Sequence, residues 1–499
     1  MKNSLISPID VHNELLVSRV HPLDWSNPQP AERYDLIVIG AGTAGLVVAA
    51  GAAGLGIGLK VALIEKHLMG GDCLNVGCVP SKTMIRSSRV VGEMQQARSF
   101  GVMPPDQIEV DFAAVMERVR RVRAEISEND SAQRFQELGV DVFLGEGKFL
   151  DREQIAVGDQ ILRFKKAVIA TGARASHPDI PGLAEAGFLT NETVFSLTDR
   201  PNRLAIIGGG SIGCEMAQTF RRLGCEVTLF HNKNRLLDRE DPEAAELLQQ
   251  VFLKEGIQIV FNSSIDKVEK TNQGKVIHFN SQQTTVDEIL VGAGRSPNVE
   301  RLNLDAAGVN YNKKGVKVND YLQTTNPRIY AAGDICMGWK YTHAADAAAR
   351  IVIKNAFFSP FGLSRSKLSN LVMPRAIYTD PEIAQVGLSE APNAEVIKIP
   401  LERVDRAIAD EETNGFVKIL HKKGSDQILG ATIVARHAGE MISEITFAIV
   451  GKRGLNTLSS VIHPYPTQAE AIKKAADAYR KTLLTPNSQR LLAFLTKLS

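Results

Sequence analysis

From Tyr34 the chain changes texture at short, regular intervals. YDLIVIG is a continuous apolar run of the kind a fully buried strand shows, AGTAGLVVAAGAAGLG has the length and small residues of a helix, and KVALIEK is a second buried run. Strand, helix and strand in that order make one βαβ unit. The order recurs at RLAIIGGGSIGCEMAQTFRRLGCEVTLFHNK, so the chain carries two dinucleotide-type folds and two nucleotide cofactors are implied. Between them, Glu109 to Leu138 predicts one helix, and its run RVRRVRAEISENDSAQRFQEL reads as a solvated helix face. GKFL and QIAV follow as short alternating strands. Past about residue 370 the strands VKIL and ILGATIVA and the long helix GEMISEITFAIVGKRG point to a separate α+β domain. Residues 1–33 are polar and proline-bearing and read as an extension lying on a domain surface, with no function attached.

Length and composition narrow the class. A chain of 499 residues predicts about three domains and buries sizeable cores without disulfide staples. Hydrophobic content of 44% and charged content of 23% describe an ordinary globular enzyme. The net charge of +2 comes from interspersed signs with no basic block, which argues against nucleic acid as a partner. MKNSLISPID VHNELLVSRV lacks the basic start, apolar stretch and small-residue cleavage site of a signal peptide, and the run Leu46 to Leu59 is too short and too glycine-laced to span a bilayer. A cytoplasmic protein is expected. Five cysteines argue against a structural disulfide framework, so a close pair is expected to be catalytic, redox-active or metal-binding.

The first glycine-rich turn supplies Gly40, Gly42 and Gly45 directly after a strand, and Glu65 ends the next strand. Glycines there permit a tight turn and close approach of a pyrophosphate to a helix N-terminus, while the carboxylate accepts from a ribose diol. The second turn supplies Gly208, Gly210 and Gly213, but His231 stands where the ribose carboxylate belongs, followed by Lys233 and Arg235. A basic cluster attracts a 2′-phosphate that an acid would repel, so this site is expected to prefer NADPH, with NADH possible if the three are only solvated loop cations.

GGDCLNVGCVPSK places Cys73 and Cys78 five positions apart, with four residues between them. No second Cys or His pair is spaced to complete a zinc site, so no structural metal is expected. Two thiols at this spacing can close a disulfide if the segment is helical or turned. Lys82 falls one helical turn past Cys78, where a cation can lower a thiol pKa or contact a flavin. Cys214, Cys225 and Cys336 read as small core residues, and His343 and His437 as ordinary structural histidines.

With ATGAR from Ala170, VGAGRSPN from Val291, IYAAGDI from Ile329 and TDPEIAQVGLSE from Thr379 in this order, the chain resembles the flavin-dependent pyridine nucleotide disulfide oxidoreductases, the family of glutathione reductase, lipoamide dehydrogenase and mercuric reductase. The resemblance covers nearly everything after residue 33. It implies an α/β fold like that of glutathione reductase, with two Rossmann-type dinucleotide-binding domains and a C-terminal α+β dimerisation domain. The implied boundaries are an extension at 1–33, an FAD domain at 34–172 and 293–366, an NAD(P)H domain at 173–292 and an interface domain at 367–499. FAD would lie on the first fingerprint with Thr171, Gly172, Gly294 and Asp334 also at the cofactors, and Lys82 would pair with Glu215 beside the isoalloxazine. The resemblance further implies a Cys73–Cys78 disulfide that takes electrons from the flavin, Cys78 becoming the thiolate against it and Cys73 meeting substrate.

The acceptor turns on HPYPTQAE. In the thiol-handling members a His directly precedes Pro-Thr, a Glu follows, and the pair serves the partner subunit of a homodimer. Here Tyr465 precedes Pro466 and Thr467, with Glu470 after, and His463 stands two residues too early, about 6.6 Å away along an extended segment. A tyrosine there resembles mercuric reductase. Against that, the sequence shows no N-terminal Cys-x-x-Cys module, no paired cysteines in LLAFLTKLS, and Phe188 where a second tyrosine is expected. The expected activity is therefore mercuric-reductase-like, with a substrate metal ion held transiently at Cys73 and Cys78, or a quinone or protein disulfide as acceptor. Lipoamide dehydrogenase is the alternative enzyme. A flavoprotein docking partner of weak turnover, using the amphipathic SQRLLAFLTKLS, is the alternative of another class.

Overall fold

The computed structural model describes residues 5–498; residues 1–4 and 499, the outermost positions of the expected extension and tail, lie outside it. By the density of internal contacts the chain forms two compact units, one through Gly208 with Arg222–Glu226 and Ser264–Leu371, the other of Gly209–Arg221, Val227–Ser263 and Val372–Ser499. The segment 173–292 is thus shared between them.

The first unit opens with α1 (Val11–Val20), β1 (Tyr34–Ile39), α2 (Thr43–Ala53) and β2 (Val61–Glu65). There follow α3 (Gly71–Asn75), α4 (Cys78–Gln96), α5 (Phe112–Ile126), α6 (Ala132–Glu137), β3 (Val140–Leu144), β4 (Gly147–Phe149), β5 (Gln154–Val157) and β6 (Gln160–Ile169). Its main sheet runs β3-β2-β1-β6-β5-β4, with Ile329–Ala331 also paired to β6. β1 is parallel to both neighbours, Leu36 facing Val61 on one side and Lys166 on the other, whereas β5 is antiparallel to β6 and β4 to β5. A strand flanked on both edges and covered on both faces must be apolar throughout, which is why β1 reads as an unbroken run. Tyr34 meets Phe143 edge-on, as Phe149 meets Phe164, and these rings fill the core with Ile37, Ile155 and Ile329. The chain passes from β1 to β2 on one side and β6 lies on the other. The crevice at the C-terminal end of β1 is therefore a topological switch point, the place where such sheets hold ligands.

Three expectations change. The single helix over 109–138 is broken, because Asp111 caps α5 by accepting from the Ala114 N–H at 2.9 Å, and Ser131 turns extended and caps α6 through the Arg134 N–H at 3.2 Å. The charge run is not a wholly solvated face: Arg120 and Arg123 are buried, Arg123 only 2% exposed. Nor does the N-terminal extension merely lie on a surface. Leu16 and Val20, one turn apart on α1, are fully buried, and α1 packs on α5. Beyond it, the Trp25 indole N–H donates to Val142 O at 3.1 Å and Asn27 bonds Leu144 through both its amide groups, so this segment covers the free edge of β3.

In the second unit, Glu226–Phe230 pairs in parallel with Gln258–Val260. A five-stranded antiparallel sheet runs Arg375–Ile377, Glu382–Gly387, Ile428–Ala435, Phe416–Lys422, Ala394–Pro400. Helices Ala438–Val450 and Glu470–Thr482 contribute Ile442, Ile445, Ile472 and Tyr479 to its core. This is the α+β arrangement expected after residue 370.

Leu16→Ala should lower stability by about 2–5 kcal/mol, as deletion of a buried leucine does. The same change at Leu23, 77% exposed, should stay within about 0.5 kcal/mol. Urea midpoints of the two variants would show whether α1 belongs to the core.

Candidate active site

Gly40 sits at φ +102°, and a Cβ there would stand 2.4 Å from Ala170 O; one at Gly45 would stand 1.8 Å from Gly40 O. Only glycine folds this turn. Gly42 precedes α2 without any side-chain cap, so the first N–H groups of that helix are left for a ligand, and a pyrophosphate fits them. Glu65 reaches back to the turn, accepting from the Ala41 N–H at 2.7 Å and the His67 N–H at 2.8 Å. Thr171 Oγ1 donates to Asn298 O at 3.0 Å, Asn298 Nδ2 donates to Thr171 O at 2.9 Å, and Gly172 holds φ +67°. Gly294, at φ +136°, accepts from the Ser176 N–H at 3.0 Å. Asp334 is pushed above the usual carboxylate range by burial, against the pull of Arg295, whose Nε lies 3.2 Å from its Oδ2. These residues fit FAD: a glycine cradle for the pyrophosphate, a carboxylate at the end of β2, and a buried acid further along the crevice.

Gly71 brings the thiols to this cradle. It stands so close to Gly42 that a Cβ on it would lie 2.6 Å from Gly42 Cα, and the Gly70 N–H donates to Ala41 O at 2.8 Å. α3 then presents Cys73, and α4 begins at Cys78, with Lys82 one turn on. Neither cysteine is joined in a disulfide in this structure. Cys73 is raised well above the ordinary thiol range, first by its hydrogen bond with Cys78 and next by burial. Cys78 Sγ also lies 3.3 Å from Thr342 Oγ1, at the start of helix Thr342–Phe357, whose N-terminal dipole favours an anion.

Three groups here carried no signal in the sequence. Thr342 is 264 positions from Cys78, and neither belongs to the other's motif. Arg295, inside VGAGRSPN, pairs with Asp72 beside Cys73 and donates to Ala173 O at 2.5 Å. Asp130, pushed up to about 6 by burial, acts on Cys73 through its charge. Cys214 and Cys225 are buried as expected, and Cys336 is pushed up to about 12 by burial. His343 stacks flat on Tyr341, their ring centroids 5.3 Å apart.

At the second fingerprint Gly208 sits at φ +121°, a Cβ there meeting Gly292 O at 2.6 Å, and Gly210 has open space around it. Gly213 is buried in the following helix. His231 departs from the expected basic cluster. It is buried, its Nδ1 accepts from the Gly209 N–H at 3.1 Å, and burial lowers its pKa, so it is a neutral ring bracing the turn. Lys233 and Arg235 do line an open cleft of about 450 Å³, together with Asp238 and Glu246. Glu215, buried, accepts from the Tyr378 N–H at 3.0 Å.

Around HPYPTQAE, Tyr465 is 71% exposed and its hydroxyl donates to Asp405 Oδ2 at 2.9 Å, which raises its pKa. Glu470 opens the helix Glu470–Thr482 and lies 3.7 Å from Lys474. His463 is held by Glu444 at 3.1 Å, its side chain nearly covered. Among the described residues, no cluster of three or more His, Cys, Asp or Glu could hold a metal ion, and no helix is long and apolar enough to cross a membrane.

A dithiol turn packed against a dinucleotide cradle defines an oxidoreductase working between a nucleotide carrier and a disulfide. The chain belongs to the pyridine nucleotide-disulphide oxidoreductase family, whose model matches residues 34–349, with the family's dimerisation domain matching 373–476. Membership implies FAD and NAD(P)H as cofactors. The chain is 36% identical to a mercuric reductase of Staphylococcus aureus over 459 residues, 90% of this chain and 83% of that one. It is 32% identical to a dihydrolipoyl dehydrogenase of Chlamydia trachomatis over 461 residues, 89% and 96% of the two chains. Among solved structures it is similar to LpdA of Mycobacterium tuberculosis, with 26% identity, a TM-score of 0.80 and 89% and 99% coverage. It is equally similar to a mutant of the HOCl-induced flavoprotein disulfide reductase RclA of Escherichia coli in complex with Cu(II), with 25% identity, a TM-score of 0.80 and the same coverage.

Proposed function

We propose that this protein passes electrons from NADPH through FAD to the Cys73–Cys78 disulfide and on to a soft metal ion or a disulfide, in the manner of a mercuric reductase. The observation that carries the reading is the seating of the Cys73–Cys78 turn on the cofactor cradle through the Gly42–Gly71 contact. When bound, FAD supplies two-electron transfer from the nicotinamide to the disulfide. The protein's own residues manage the sulfur and the proton. Two electrons and one proton open the disulfide, the proton settling on Cys73 and the negative charge on Cys78, where Thr342 attends it. Cys73 then meets the acceptor. Transfer of two electrons to the acceptor re-forms the disulfide and releases that proton.

The mercuric reductase relatives and the Cu(II)-bound neighbour support a metal acceptor, as does Tyr465 in place of a histidine base. A phenol bonded to a carboxylate holds its proton at neutral pH, so it donates rather than abstracts. Lipoamide dehydrogenase remains the second reading because of His463, whose pairing with Glu444 is the way a base is oriented. The assignments of Glu215 and Glu470, the three-domain boundaries and a homodimer formed through 367–499 belong to the same proposal. So does NADPH: with His231 neutral, Lys233 and Arg235 alone would meet the 2′-phosphate.

Reduction by two electrons should produce long-wavelength thiolate-to-flavin absorbance, lost in Cys78→Ser and kept in Cys73→Ser; a band surviving in Cys78→Ser would overturn the assignment. Because a charge-assisted contact is worth about 1.5–3 kcal/mol, Lys233→Ala and Arg235→Ala should each cut the preference for NADPH over NADH about tenfold or more, while His231→Gln should leave it nearly unchanged. Steady-state kcat/KM with both nucleotides measures this, and equal efficiency in the wild type would count against NADPH. Tyr465→His should raise dihydrolipoamide oxidation by up to about 10²–10⁴, the usual range of a general base, and lower metal reduction. Rapid oxidation by the wild type would instead make His463 the base.

A further inference from the structure

The N-terminal helix reaches the redox turn through buried polar groups. Asn13, on α1, is buried; its Nδ2 donates to Pro8 O at 2.7 Å and its Oδ1 accepts from Arg123 Nη2 at 2.6 Å. Arg123, on α5, donates its other arm, Nη1, to Asn75 O at 2.7 Å. Asn75 is buried in turn, and its Nδ2 donates to Met69 O at 3.0 Å and Gly71 O at 2.9 Å. Those two carbonyls bracket the glycine pair, and Cys73 is two positions before Asn75. The end of α1 joins the same turn, the Met69 N–H donating to Val20 O at 3.1 Å. Arg120 pairs with Asp10, the residue that caps α1 by accepting from the Asn13 N–H at 2.8 Å.

α3 has five residues, too few for its own backbone bonds to hold it. An outside framework must set where Cys73 stands. Burying a guanidinium is expensive, and burial brings Arg123 down to about 10, still far above neutrality, so it stays charged. Its two planar arms span the gap between α1 and the redox turn in one fixed geometry, which a flexible ammonium does not reproduce.

We propose that Arg123, held by Asn13, is a positioning residue that sets the spacing of Cys73 and Cys78 and so the dithiol–disulfide equilibrium of the pair. The proposal rests on the reading of these cysteines as the redox pair. Disulfide closure depends on the effective concentration of one thiol at the other, which a fixed turn raises and a loose one lowers. The helix α1, outside the family match that begins at residue 34, is by this account part of the redox machinery.

The test uses the FAD-loaded full chain and three variants, Asn13→Ala, Asn13→Asp and Arg123→Lys, equilibrated against glutathione redox buffers. Asn13→Ala and Arg123→Lys keep a positive charge at position 123 but lose one end of the bridge. Each should shift the equilibrium about tenfold toward the dithiol, about 30 mV for this two-electron couple, and weaken the thiolate-to-flavin band. Asn13→Asp keeps an acceptor for Arg123 and should return both readouts to the wild-type value. Dye reduction directly from the flavin should be unaffected in all three. A purely structural role would lower the melting temperature and leave the equilibrium and the band where they are, which would overturn the proposal. Should Arg123→Lys fail to fold, Asn13→Ala decides alone. A wild type without the band would sink the redox-pair reading itself, whereas a wild-type band matched in every variant would sink only the role of Arg123.

Discussion

Two stretches of backbone meet closely in the first unit. Gly42, entering the nucleotide-type helix, and Gly71, entering the helix of Cys73, stand where no side chain fits on the facing side of Gly71. Glycine is needed for this approach, and it carries an entropic penalty in the unfolded chain. In return, a dithiol turn rests on the N-terminus of a helix that accepts a pyrophosphate. The parallel sheet supports that contact from below, since β1 ends at Ile39 and leaves the turn at its C-terminal edge. Had Gly71 carried a side chain, the two turns would be pushed apart.

Charge at this centre is balanced locally. Arg295 stands between Asp72, next to Cys73, and Asp334, deep in the crevice. Arg123 binds backbone and amide oxygens on the opposite side of the turn, its charge answered at longer range by Asp10. Both arginines use their terminal nitrogens for these bonds, while the Nε of each is buried without a hydrogen-bond partner. Cys73 holds its proton more tightly than an ordinary thiol through its hydrogen bond with Cys78 and its burial, and Cys78 stands beside Thr342. Two chemically identical thiols thus meet different surroundings.

The second unit shows the same economy with a different outcome. His231 is braced by the Gly209 N–H, and His463 by the Glu444 carboxylate and the Val461 carbonyl. The first is thereby neutral and structural. The second keeps an oriented ring, and it stands two positions before the exposed Tyr465, whose proton is secured by Asp405. Two neighbouring side chains thus differ in kind, one a covered ring held by a carboxylate and the other an exposed phenol.

Much was legible in one dimension because it depends on local rules. Apolar runs without alternation mark strands buried on both faces, so β1, β2 and the repeat at Arg203 were readable, as were the glycines whose backbone angles no other residue adopts. The spacing of Cys73 and Cys78, with Lys82 a turn later, was readable because helical geometry relates nearby positions. What tertiary structure alone decided involves partners far apart in the chain. A histidine in a basic string looks cationic until burial against Gly209 makes it neutral. An arginine in a charge run looks solvated until Asn13 and Asn75 enclose it. A polar N-terminal stretch looks peripheral until Leu16 and Val20 are found in the core. Charge state and burial are properties of the surroundings, and surroundings are assembled only when distant segments meet.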